Sequence, residues 1–426
     1  MPRPARPAAG ILPRMSTNHV YARMTGRDPQ ERHRAATPLE LLFDLVFVVA
    51  FSQIGTEMAH VLELGDISTA LLAGWFCVFA VTWAWINFTW LASAYDTDDL
   101  YFRIATMVIM IGVIVVALGV PPVFHSIEEG HHLDNSVMVA GYVIMRIATI
   151  ALWLRVARHD EKRRKTALSY VANISIAQVG WIALIFLNLP IGTTIAIAIV
   201  LQLFELAGPI FAELRFGRTP WHPHHIAERY GLLVIITLGE VILGTIVAIS
   251  AILEEQHGWS VDAALVAFGG TALAFGMWWM YFAIPWGVVL ERHPKRAWVW
   301  GYLQILLFGS LVAVGAGLHV AAYVIGGDAH VDATFAALSI AIPVLVFEAL
   351  LFVLYGLLVL QVDPFHAWLF LGVVAVLFVA VAAVALGASL GFGILLIACS
   401  PVVVVVGYEA VGWRHADTMI GKAVRD

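Results

Sequence analysis

Apolar runs of about 20 residues, each long enough to cross a ~30 Å hydrocarbon slab as a helix, recur a dozen times along this chain. They lie at 38–58, 67–91, 101–120, 136–156, 167–187, 191–211, 226–249, 263–284, 298–323, 334–360, 368–386 and 390–408. A backbone in lipid must satisfy its own hydrogen bonds, and runs of this length do so as helices. The expected fold is all-α, a polytopic membrane protein of about twelve transmembrane helices. Composition agrees: 61% hydrophobic and 13% charged residues lie far from the ~45–50% and ~25% of soluble domains.

Basic residues test the count of spans, because a wrong count would scatter them over both sides. Of the 24 Lys and Arg residues, all but Arg146 fall in the N-terminal tail, in alternate loops and the span ends that adjoin them, or in the C-terminal tail, hence on one side. The positive-inside rule makes that side cytoplasmic and places both termini there. The opposite loops carry acids and histidines such as Glu128, Glu129, Glu254, Glu255 and Asp328, with no Lys or Arg. Cation focusing by those acids is one reading; positive-inside topology leaving acids by default is the simpler one. Residues 1–36, Arg- and Pro-rich without an apolar run, read as a disordered basic cytoplasmic tail, with Met1 or Met15 as the start. Cys77 and Cys399 both lie in spans, which argues against a disulfide framework.

A period of six helices gives the chain a second level of order. Glu40 and Glu228 each open an apolar helix, and Trp83-Ala84-Trp85 and Trp278-Trp279 each close the helix that follows. Phe204-Glu205-Leu206-Ala207-Gly208 and Tyr408-Glu409-Ala410-Val411-Gly412 end the sixth and twelfth spans alike. The chain then divides into two parallel six-helix halves, 37–212 and 213–412, with a cytoplasmic tail at 413–426.

Two motifs resemble the bacterial low-temperature-requirement A proteins. One is Pro38-Leu39-Glu40-Leu41-Leu42-Phe43-Asp44-Leu45-Val46-Phe47. The other is His225-Ile226-Ala227-Glu228-Arg229-Tyr230-Gly231, followed by Leu238-Gly239-Glu240. Leu42 departs from the pattern, where the family often has an aromatic residue, and this bears on packing more than chemistry. The resemblance implies a multi-helix inner-membrane protein named for a growth trait at low temperature; it implies no reaction or substrate.

Function must therefore be read from ionisable residues inside the spans, since an acid at mid-membrane costs roughly 3 kcal/mol and must be faced inward, paired or protonated. Asp44, Glu240, Glu348 and Arg146 are the candidates for ion coupling or transport. Glu40 and Asp44, four apart, share a helix face, so double ionisation is disfavoured; Glu40 also suits a cap at the helix start. His225, Glu228 and Arg229 form a charged mouth leading to Glu240, which lies eleven residues beyond Arg229 and within about 20° of the same face. Glu228 and Arg229 suit an interfacial anchor equally well. Gly239 and Gly244 suggest a close helix approach at Glu240. Arg146 has Glu348, Asp44, Glu205 and Glu240 as possible partners, and His319 reads as a structural histidine more than a relay.

These acids suggest a secondary transporter or ion pathway for a proton, cation or small solute. The alternatives are a membrane-embedded lipid-handling enzyme, with Trp83, Trp85, Trp90, Trp278, Trp279 and Trp286 as an interfacial platform, and a stress-adaptation scaffold that does not transport. No nucleotide loop, nucleophile elbow or zinc motif is found, so no cofactor, metal site or catalytic residue is expected, and a non-enzyme is favoured. His125, His131 and His132, like His222, His224 and His225, lack recognised ligand spacing. The lipid bilayer is the expected partner; nucleic acid is not.

Overall fold

A computed structural model describes residues 21–29, 31, 34–187, 189–359 and 364–412. Fourteen α-helices follow in order: α1 Pro38–Glu63, α2 Ile67–Tyr95, α3 Leu100–Leu118, α4 Val120–Glu129, α5 Ser136–His159, α6 Arg164–Phe186, α7 Ile191–Phe216, α8 Pro223–Glu255, α9 Val261–Phe282, α10 Trp286–Arg292, α11 Ala297–Gly326, α12 Ala333–Val359, α13 Pro364–Ala385 and α14 Leu390–Gly407. They make twelve segments long and apolar enough to span a membrane. The third of these joins α3 to α4 and the eighth joins α9 to α10. The chain is an integral, multi-pass, all-helical membrane protein.

Short polar side chains start many of these helices. Thr37, Asp66, Asp99, Ser260 and Ser389 each accept the backbone N–H three residues on, satisfying a donor that the helix leaves open. Gly130 and Gly327 end α4 and α11 in the left-handed conformation, at φ 75° and 78°, which glycine adopts without steric cost.

Several spans are longer than their apolar runs. The seventh, expected at 226–249, is the helix Pro223–Glu255. The third, expected to stop at 120, continues through Pro121 and Pro122, because a proline in the first turn of α4 needs no intrahelical donor. The expected end of the tenth span, at 360, lies outside the described residues, as do 1–20 and 413–426 of the two tails. The part of the N-terminal tail from 21 to 36 that is described has no regular helix, yet it does not stand free. Met24 is fully buried, Arg27 N–H donates to Ala94 O, and Arg34 donates to Ala92 O at 2.8 Å.

Helix α11 is the axis of the molecule and the most buried of the described spans. It packs on α8, α12, α1 and α2. On one flank α3, α5, α6 and α7 pack in succession; on the other, α12, α13 and α14 do so, with α9 closing against α14. Helices α6, α7 and α13 are the least buried and form the periphery.

Candidate functional site

Helices α1 and α8 begin alike, Thr37-Pro38 and His222-Pro223, with the first residue capping and the second at the first helical position. They then run parallel in one constant register. Glu40 faces His225, Asp44 faces Arg229 and Gly55 faces Glu240, each pair 185 residues apart. Two acids of α1 thus oppose two bases of α8, and three turns further in a third acid opposes a glycine.

The outer two contacts are removed from solvent, a hydrogen bond between Glu40 and His225 and an ion pair between Asp44 and Arg229. Glu40 closes a capping box with Thr37, its Oε2 accepting Thr37 N–H at 2.8 Å, while His225 Nε2 lies 3.2 Å from the same oxygen. One turn deeper, Arg229 Nη2 donates to Asp44 Oδ1 at 2.8 Å and the Trp85 indole N–H donates to it at 2.7 Å. Arg229 also reaches Thr89 Oγ1 at 3.4 Å and stands 5.5 Å over the Trp85 ring. Arg229 is 0% exposed, so it is no interfacial anchor that snorkels to the headgroups. Glu228, by contrast, is exposed and accepts Ala36 N–H at 3.3 Å. The mouth anticipated from His225, Glu228 and Arg229 is therefore split, with two members buried on the seam and one on the surface.

Glu240 differs from every acid near it. It is 1% exposed and forms no ion pair among the described residues. Ser52 of α1 faces it, and its Oε2 lies where a Cβ on Gly55 would come to 3.0 Å. From the other side, a Cβ on Gly315 of α11 would meet the Glu240 Cβ at 2.8 Å, and one on Gly244 would meet Gly315 O at 2.6 Å. Gly244 supplies the close approach expected of it. Gly239 does not, because nothing lies within 4 Å of where its Cβ would be.

The remaining candidates occupy separate places. Arg146 pairs with Glu205, Nη2 to Oε2 at 2.5 Å, and that carboxylate also accepts the indole N–H groups of Trp83 at 2.5 Å and Trp181 at 2.8 Å. Of the four partners open to Arg146, the structure selects Glu205 and excludes Glu348, Asp44 and Glu240. Glu348 is fully buried on α12, with Ser400 of α14 donating to Oε1 at 3.0 Å and Oε2 without a partner. His319 is buried on α11. The tryptophans expected as an interfacial platform divide, since Trp83, Trp85, Trp90 and Trp286 are buried and only Trp278 and Trp279 are exposed.

Sequence reasoning missed Trp85 and Thr89 as partners of the seam, and Glu213, whose Oε1 accepts from Tyr170 at 3.3 Å and from the Thr219 hydroxyl. Trp83 and Trp85 carried a usable signal: two apart on one helix, they point about 200° apart, each toward a different buried acid.

A family model described as bacterial low temperature requirement A protein matches residues 35–405. An uncharacterized protein of Rhizobium meliloti (strain 1021) is 28% identical over 277 residues, covering 63% of this chain and 62% of that relative. The chain thus aligns with less than two thirds of the relative's length. No solved structure matches.

Proposed function

The chain belongs to the bacterial low temperature requirement A family, and from that premise and the α1/α8 seam we propose that it is a secondary transporter or ion pathway of the inner membrane. Protons or cations bind at Glu240, and Glu348 is a second candidate carboxylate. The observation that carries the reading is Glu240 itself, buried at the meeting of α1, α8 and α11 with no counter-charge among the described residues and the Ser52 hydroxyl facing it. A carboxylate so placed needs a bound proton or cation, because an unpaired charge in this environment costs several kcal/mol. Asp44 and Arg229, already paired, hold the basic end of the seam closed together with Glu40 and His225. Arg146 with Glu205 fixes the first half in the same manner.

Both termini are proposed to be cytoplasmic, and 37–212 and 213–412 to be parallel repeats around the seam. Two features support the repeat: the shared opening of α1 and α8, and the successive packing of α5, α6 and α7, which α12, α13 and α14 repeat. The test is ion flux in proteoliposomes of the purified protein, read by an internal pH dye under imposed proton, sodium and potassium gradients. Flux above protein-free vesicles under one of these gradients is expected. Flux at the protein-free level under all three would favour a scaffold.

A further inference from the structure

A ring-lined cleft lies apart from the α1/α8 seam. Trp83 and Trp90 of α2, Trp153 of α5, Tyr170 of α6 and Trp298 of α11 bound it, and its empty space, part of it open to the exterior, is about 320 Å³. The rings are not a membrane-interface belt, since Trp83, Trp90 and Trp153 are 2%, 8% and 3% exposed. They are also ordered: Trp153 stacks on Tyr170 at 4.2 Å and Trp90 on Trp298 at 5.1 Å. Two indole N–H groups are engaged elsewhere, Trp83 with Glu205 and Trp90 with the Tyr230 hydroxyl at 3.1 Å.

The lining of the cleft carries no positive charge, with no Lys, Arg or His in it. Glu205 behind Trp83 is neutralised by Arg146, but Glu213 is not. Its Oε1 accepts from Tyr170 and Thr219, both of which line the cleft; its Oε2 has no partner, and it forms no ion pair among the described residues. The exposed Arg218 is a cation whose charge acts on it without forming an ion pair. Aromatic rings attract cations through their quadrupole, and quaternary ammonium groups suit such cages because they have no N–H to donate and need no hydrogen-bond acceptor. We propose that this cleft binds a small quaternary ammonium group, free in solution or carried on a lipid headgroup, held by the five rings with Glu213 behind them. The site requires only binding and stands whether or not the chain moves ions.

The test uses the full chain in nanodiscs of phosphatidylglycerol, with choline titrated by calorimetry and by tryptophan fluorescence. Saturable binding is expected, and the uncharged tert-butyl isostere of choline should bind at least about tenfold more weakly. Trp298→Leu, at the half-buried edge of the cleft, and Glu213→Gln should each weaken choline about tenfold, while Trp278→Leu on the exposed face of α9 should not. Competition by short-chain phosphatidylcholine would assign the site to a lipid headgroup, and its absence to a free solute. Equal binding of the isostere, an unchanged affinity in both cleft variants, or no saturable binding of choline would overturn the proposal.

Discussion

At the scale of single residues, the molecule separates acids that have a partner from acids that do not. Asp44→Asn would leave Arg229 charged and buried without its carboxylate, a loss on the order of 3–5 kcal/mol. A marked fall in apparent melting temperature is expected in detergent, with more than half of it recovered in the Asp44→Asn, Arg229→Gln double variant. Equal melting of all three proteins would show that the pair is not formed.

Outside the spans, Asp96 sits in the loop after α2, where burial, and after it the Glu40 charge, push its carboxyl up to about 6 despite the Asp98 N–H and the Arg34 charge. Since the folded value lies above the unfolded one of ~3.9, the native state favours the protonated acid. Stability drawn from this group is therefore present below about pH 4 and lost as pH rises through about 6. Asp96→Asn, which keeps the acceptor for Asp98 N–H, should stabilise by on the order of 2 kcal/mol at about pH 7.5 and by little at about pH 4. A pH-independent difference in melting would contradict this. Asp99 is the opposite case: burial would raise it, but Arg155 and the N–H groups of Ala22 and Phe102 outweigh burial and hold it at about 2. Its contribution is present above about pH 4 and lost only toward pH 2.

Asp44, Glu240 and Glu348 were legible in the sequence because a charge in an apolar run is conspicuous for its cost. Their partners were not, because Arg229 lies 185 residues from Asp44 and Trp85 lies 41 away. Only packing brings them together.

At the scale of elements, the seam depends on how closely α11 approaches α8. Gly315→Val would drive a side chain into Glu240, and overpacking of this kind costs about 1–3 kcal/mol. Gly239→Ala meets nothing within 4 Å and should be neutral or gain up to about 1 kcal/mol of helix propensity. Thermal scans of the two variants check this contrast, and the reverse order would mean that α8 is rotated from the face described. Helix existence was readable from hydrophobic length alone, whereas helix ends were not. Hydropathy stops where polar residues begin, but α8 continues from 249 to Glu255 through residues that favour helix, and α4 continues through two prolines placed where a helix tolerates them. The constant register of α1 on α8 was implicit in the matched Thr-Pro and His-Pro openings, although sequence alone does not say that the two helices touch.

At the scale of the whole molecule, twelve spans and one-sided basic loops predict both termini on the cytoplasmic side. With Cys77 and Cys399 replaced, a single cysteine at Lys162 should react with an impermeant maleimide only from the cytoplasmic face, and one at Glu128 only from the opposite face. Labelling of both from one face would overturn the topology. Glu240, as the carboxylate that takes the ion, is the central residue of the proposed pathway. The measurement that tests it most directly compares Glu240→Gln with the unaltered protein in the flux assay, after both are shown to melt at similar temperatures. The substitution keeps the shape and removes an unpaired acid, so folding is expected to survive while flux falls to the level of protein-free vesicles; undiminished flux in a folded Glu240→Gln protein would contradict the account.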